Sequence, residues 1–94
     1  MIIIFGFVRV GETGYSEISF VKENSGGAGA GEPSLDSDLF IEIEGTKGIH
    51  YVDRVGDAIR VLSNVPLKEI QYQLNKAFMK VYGITPSYMM LSDD

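Results

Sequence analysis

The chain has no cysteine, a single histidine, and fewer basic than acidic residues, eight against thirteen. The missing cysteine excludes disulfides, thiolate metal sites and a cysteine nucleophile. Small secreted domains often need such staples, so their absence fits a reducing compartment. With His50 alone, a multi-histidine metal centre is impossible. The net charge of −5 and pI near 4.7 argue against an extended nucleic-acid surface. Binding to a phosphate backbone draws on clustered lysine and arginine. A basic protein partner remains compatible with this balance, because charge complementarity steers encounter. The opening MIIIFGFV is apolar but far shorter than the roughly 20 residues of a membrane-spanning helix. It also lacks the basic leader and small-residue cleavage site of a signal peptide, so the expectation is a cytoplasmic protein with no membrane partner.

What is present suits a small globular fold. At 94 residues the chain reads as one domain, 1–94, and 45% hydrophobic content separates it from disordered sequences. A domain of this size buries only about 60–70% of the surface its unfolded chain exposes, enough for one modest core.

Residues 24–37, NSGGAGAGEPSLDS, form a glycine-rich tract. Gly26 and Gly31 stand at the spacing of a phosphate-cradling P-loop. That loop needs Lys and Ser/Thr after its last glycine to meet phosphate and Mg²⁺. Glu32 and Pro33 occupy those places, so an anion stands where a cation is required. The tract therefore reads as a flexible connection that binds nothing.

Elsewhere, periodicity organises the chain. Residues 1–10 are rich in Ile, Val and Phe, and residues 15–22 alternate, with Ser16, Ile18, Phe20 and Lys22 on one face. A turn signal at 11–14 joins them into a hairpin. Residues 39–44 alternate again and are expected to be a strand, with Leu39, Ile41 and Ile43 on one side. Residues 50–63 fit either a helix or a hairpin. Their β-branched density and internal Gly56 favour the hairpin, with Gly56-Asp57 as its turn and Asp53 opposite Arg60. Residues 66–82 form the clearest helix: Leu67, Ile70, Leu74, Ala77, Phe78 and Val81 share a stripe, ended by Gly83 and Pro86. Residues 87–91 suit a last strand. Strand, helix and strand in succession would make a right-handed crossover if both strands share a sheet. The expected fold is α+β: a mostly antiparallel sheet of five or six short strands carrying one amphipathic helix, in the order β-β-β-β-β-α-β.

Familiar chemistries find little support. No EF-hand spacing surrounds Asp36 and Asp38, and no GxSxG elbow occurs. His50 and Asp53, three residues apart, would point to opposite faces of a strand. Phe5-Gly6-Phe7-Val8 matches the middle of an RNA-recognition signature, but Ile3 and Ile4 replace its basic residue and glycine. Aromatics in that first strand are expected in the core. No catalytic residue, cofactor or metal is therefore assigned.

Two features point outward instead. The first strand is apolar on both faces, and strands of that kind normally need both faces covered, by a curling sheet or by a partner. Opposite the core stripe of the helix, Tyr72 and Met79 lie two turns apart beside Lys68 and Lys76, the composition of a contact surface. An acidic stretch running from Glu32 through Glu42 and Glu44 offers a second patch. The expected function is a non-enzymatic module for self-association or a protein partner, an oligomeric scaffold or a regulator or inhibitor of a larger protein. The competing expectation is a small-ligand or nucleotide binder, conceivably an enzyme, with the glycine tract as a lid.

Overall fold

Alternation in the first two strands sets the frame. The computed structural model describes residues 2–24 and 35–92. In it β1 (Ile2–Val10) and β2 (Ser16–Asn24) pair antiparallel, with Val8 opposite Ile18 and Gly6 opposite Phe20. Every second residue faces one way, and on that side Ile4, Val8, Ile18 and Phe20 are buried. Then follow α1 (Ser37–Glu44), β3 (Tyr51–Val55), β4 (Ala58–Ser63), α2 (Leu67–Tyr82) and β5 (Ser87–Met90). The strands form one five-stranded sheet in the order β3-β4-β2-β1-β5. Among the described residues only the β1–β5 pairing is parallel.

The α+β class and the five strands match the sequence expectation; the helix count does not. Among the described residues there are two helices, and the order is β-β-α-β-β-α-β. The connection through α1 carries β2 over β4 to β3, and the one through α2 carries β4 over β2 and β1 to β5. These are split β-α-β units.

The segment that departs from expectation is 39–44, a helix rather than a strand. Leu39 and Ile43, four residues apart, are fully buried, whereas Ile41 is 66% exposed. A strand would have put all three on one face. The i, i+4 pair wins because α1 packs beside α2 over the sheet, and burial there outweighs the β preference of isoleucine. Gly45 ends the helix, donating its N–H to the Ile41 carbonyl at 3.1 Å.

The hairpin over 50–63 forms as expected. Gly56 takes φ +62° in the tight turn, Val52 lies opposite Val61, and Asp53 lies opposite Arg60. Glycine at the first turn position supplies a backbone twist that suits the strands. The Arg60 guanidinium donates to both Asp53 oxygens, at 3.2 and 3.0 Å.

Helix α2 buries the expected stripe, with Ile70, Leu74, Ala77 and Phe78 inside and Leu67 and Val81 at its margins. Phe78 stacks on Phe20 at 4.6 Å between ring centroids, which ties the helix to the middle of the sheet. Gly83, at φ +74°, donates its N–H to the Met79 carbonyl and turns the chain toward β5.

The ring packing depends on one missing side chain. A Cβ at Gly6 would stand 2.9 Å from both Phe20 Cε1 and Tyr88 Cδ1, closer than packed carbons tolerate. Of the glycine tract, residues 25–34 lie outside the described residues, and with them the lid and flexible-loop expectations. Its far end belongs to the core, where Leu35 is buried.

The helical assignment of α1 has a direct check. Ile43→Ala should lower unfolding free energy by about 2–4 kcal/mol, while Ile41→Glu should stay within about 0.5 kcal/mol. Urea denaturation of both variants distinguishes this from a strand, in which the two positions would be equally sensitive.

Candidate interaction surface

Tyr72 and Met79 emerge where the helical spacing placed them, on the solvent side of α2, and are 58% and 51% exposed. Together with Asn75, Lys76, Lys80 and Thr85 they line a shallow, mostly apolar depression. The Lys76 ammonium lies 5.0 Å from the Tyr72 ring centroid, a cation–π contact that steadies the ring. Lys68 is exposed on the same helix but outside the depression.

The acidic stretch is not a strand face. Asp38 sits in the first turn of α1, where the helix dipole favours a negative charge. Glu42 meets Lys80 of α2 at 3.3 Å, while Glu44 is exposed at the end of α1. The acidic segment and the basic residues of α2 thus adjoin within one molecule. Exposed pairs of this kind are worth about 0–1 kcal/mol. Part of the charge expected to attract a partner is met internally.

The strongest surface feature lies one element further on, and the sequence did not single it out. β5 forms one border of the sheet. Its Met89 and Met90 are exposed, as is Leu91 just beyond. Leu91 donates its N–H to the Val8 carbonyl at 2.7 Å, so Met89 and Leu91 direct their backbone groups toward β1. Backbone direction alternates along a strand, so the N–H and C=O of Tyr88 and Met90 point away from the sheet. Among the described residues no strand pairs with that side.

The inner side of β5 is firmly held. The Tyr88 hydroxyl donates to Asn75 Oδ1 at 2.9 Å, and its ring meets Phe20 edge-on at 5.9 Å. Burial pushes the Tyr88 phenol well above the ordinary tyrosine range. Tyr82, whose oxygen accepts the Asp36 N–H at 3.1 Å, is also raised, chiefly by burial.

The opposite border is different in kind. β3 carries Asp53 and Arg54. Arg54 donates to the Leu35 carbonyl at 2.9 Å and lies over the Phe40 ring, which ties this strand to α1. Arg60 is held more firmly protonated by its hydrogen bonds to Asp53.

The sheet face away from the helices corrects another expectation. Ile3, Phe5 and Phe7 belong to that face and are half-buried rather than core. The Phe5 and Phe7 rings lie 6.3 Å apart. Among the described residues no second layer covers them. Aromatic rings on an open sheet recur in base-stacking proteins. Here the same face carries Glu17, Glu23 and Asp53 against Arg9 and Arg60, with Arg9 opposite Glu17 and Arg60 committed to Asp53. A phosphate backbone would meet acid there.

His50 and Asp53 do not combine. His50 lies beside Tyr15, with ring centroids 5.3 Å apart, whereas Asp53 binds Arg60 and accepts from the Tyr51 hydroxyl. Among the described residues no group of three or more metal-ligating side chains converges. No helix among them is long and apolar enough to cross a membrane. No protein-family model matches this chain, and no curated protein or solved structure matches it.

Tyr88 makes the integrity of the β5 attachment measurable. Its folded form holds the proton above the pH, about 10, at which an unfolded tyrosine loses it. The stability it contributes is complete below that pH and declines as pH rises from there toward the folded value. Tyr88→Phe should flatten the alkaline fall in stability by up to one proton's worth of slope. It should also cost about 1 kcal/mol at neutral pH through the lost Asn75 bond. Urea unfolding at a series of alkaline pH values checks both; an unchanged slope would mean that Tyr88 is solvated.

Proposed function

We propose that the protein is a small, non-enzymatic protein–protein interaction module whose contact surface is the β5 border together with the adjoining face of α2. One observation carries this reading. Exposed large apolar side chains concentrate late in the chain: Tyr72 and Met79 on α2, Met89 and Met90 on β5, and Leu91 just beyond it. Aromatic rings and methionine are enriched at interface cores. The remaining exposed apolar residues are dispersed over the ends of β1, α1 and β3.

The acidic stretch plays a lesser part than its charge suggested, because Glu42 is engaged by Lys80. Lys76 and Lys80 at the rim of the depression would favour a partner that presents acid around an apolar centre. The cysteine-free composition suits a reducing compartment, and the cytoplasm is the proposed setting.

The test is a paired substitution. Tyr72→Glu with Met79→Glu should leave stability within about 1 kcal/mol, since both sites are exposed, yet weaken association about tenfold or more. Sedimentation of the free protein and a quantitative binding assay on captured partners provide the readouts. Association that is unchanged in the folded double variant would remove the reading.

A further inference from the structure

We propose that β5 pairs antiparallel with β5 of a second copy of this chain, about a two-fold axis passing beside Met89. The proposal rests on the interaction-module reading and supplies its partner. The outward N–H and C=O groups of Tyr88 and Met90 have the spacing of an antiparallel ladder. Setting Tyr88 of one copy opposite Met90 of the other, and the reverse, completes four hydrogen bonds. Sliding the partner so that Tyr88 meets Tyr88 would place Met90 opposite Pro86, which has no N–H to give. The Met89-centred register keeps every bond between residues that can make it.

The side chains are self-complementary in that register. On the face away from the helices, Met89 meets Met89 of the second copy, and Phe7 stands beside each as its neighbour in the sheet. This makes a continuous apolar row of four residues. On the helix side, Met90 comes against Tyr88 of the second copy. The Tyr88–Asn75 bond sets the level of α2 relative to this axis. The pairing covers the strand border itself.

Selection between the two borders agrees. Natural sheets blunt a free edge with charge or a covering element. β3 has both, through Asp53, Arg54 and the Arg54 contacts to Leu35 and Phe40. β5, Ser87–Met90, carries no charge within the strand, and its only edge devices are its shortness, Pro86 before it and Asp93-Asp94 after it in the sequence. A closed, isologous pair would hide that edge in both copies, whereas an unblunted edge left open invites unlimited aggregation.

Because the chain has no cysteine, a single introduced thiol reports without background. Directly opposed residues of a non-hydrogen-bonded pair have Cα atoms about 4.5 Å apart, within disulfide reach. Met89→Cys should therefore form a covalent dimer under mild oxidation, while Val55→Cys, exposed on the β3 border, should not. Met89→Lys should raise the dimer Kd about tenfold or more by opposing like charges. Mixing Met89→Lys with Met89→Glu should restore pairing. A wild-type chain that sediments as a monomer up to millimolar concentration, with the Met89→Cys variant crosslinking no faster than Val55→Cys, overturns the proposal. If that monomer still binds another protein in a way that Tyr72→Glu with Met79→Glu abolishes, self-pairing alone fails and the module reading stands. If it does not, both fall.

Discussion

Two short helices can cover only one face of a five-stranded sheet, and most of this structure follows from that limit. Both helices lie on the side where β1 and β2 present Ile4, Val8, Ile18 and Phe20 and β4 presents Ile59 and Val61. The contact at the centre is Phe20 on Phe78. Burying an aromatic ring of this size contributes about 1.5–3 kcal/mol, and a well-oriented pair adds about 0.5–1.5 kcal/mol. Gly6 leaves the space that lets Tyr88 approach the same ring, and the far side of β1 is left with Ile3, Phe5 and Phe7 half-exposed.

Elements whose signals are local were legible in the sequence. The β3–β4 hairpin follows from Gly56 in its turn and from the charge match of Asp53 with Arg60, all within a few residues. The stripe of α2 is long enough that helical periodicity cannot be mistaken for alternation. Residues 39–44 fail that test. LFIEIE satisfies both patterns, since Leu39 and Ile43 are separated by four, an interval common to strand alternation and helical recurrence. Only the exposure of Ile41 separates the two, and that is decided by α2 lying alongside. Tertiary packing, not propensity, resolved the ambiguity.

The proposed contact surface was half legible for a related reason. Tyr72 and Met79 stand opposite a clear core stripe, so their exposure could be read from spacing alone. That residues 87–90 would form a border strand could not, because border status belongs to the sheet order rather than to the segment. It arises where α2 carries the chain across β2 and β1 and sets β5 down beyond them. The acidic stretch misled in the opposite direction. Its charges appear continuous along the chain, but helix formation distributes them and pairs Glu42 with Lys80.

An exposed edge is useful for binding only if it is already rigid, since ordering a loose strand on contact would consume the free energy of a few hydrogen bonds. β5 meets that condition from its inner side. Leu91 is bonded to Val8, Tyr88 to Asn75, and the Tyr88 ring is wedged between Gly6 and Phe20. Four strand residues would otherwise be too few to hold a fixed geometry against solvent. The packing that buries the core thus also fixes the outward backbone groups of Tyr88 and Met90, so that in the proposed pairing a partner would need to supply only the matching ladder. The glycine at position 6 therefore acts on both sides of β5: it admits the ring that anchors the strand, and through that anchor it fixes the edge that the proposed pairing would use.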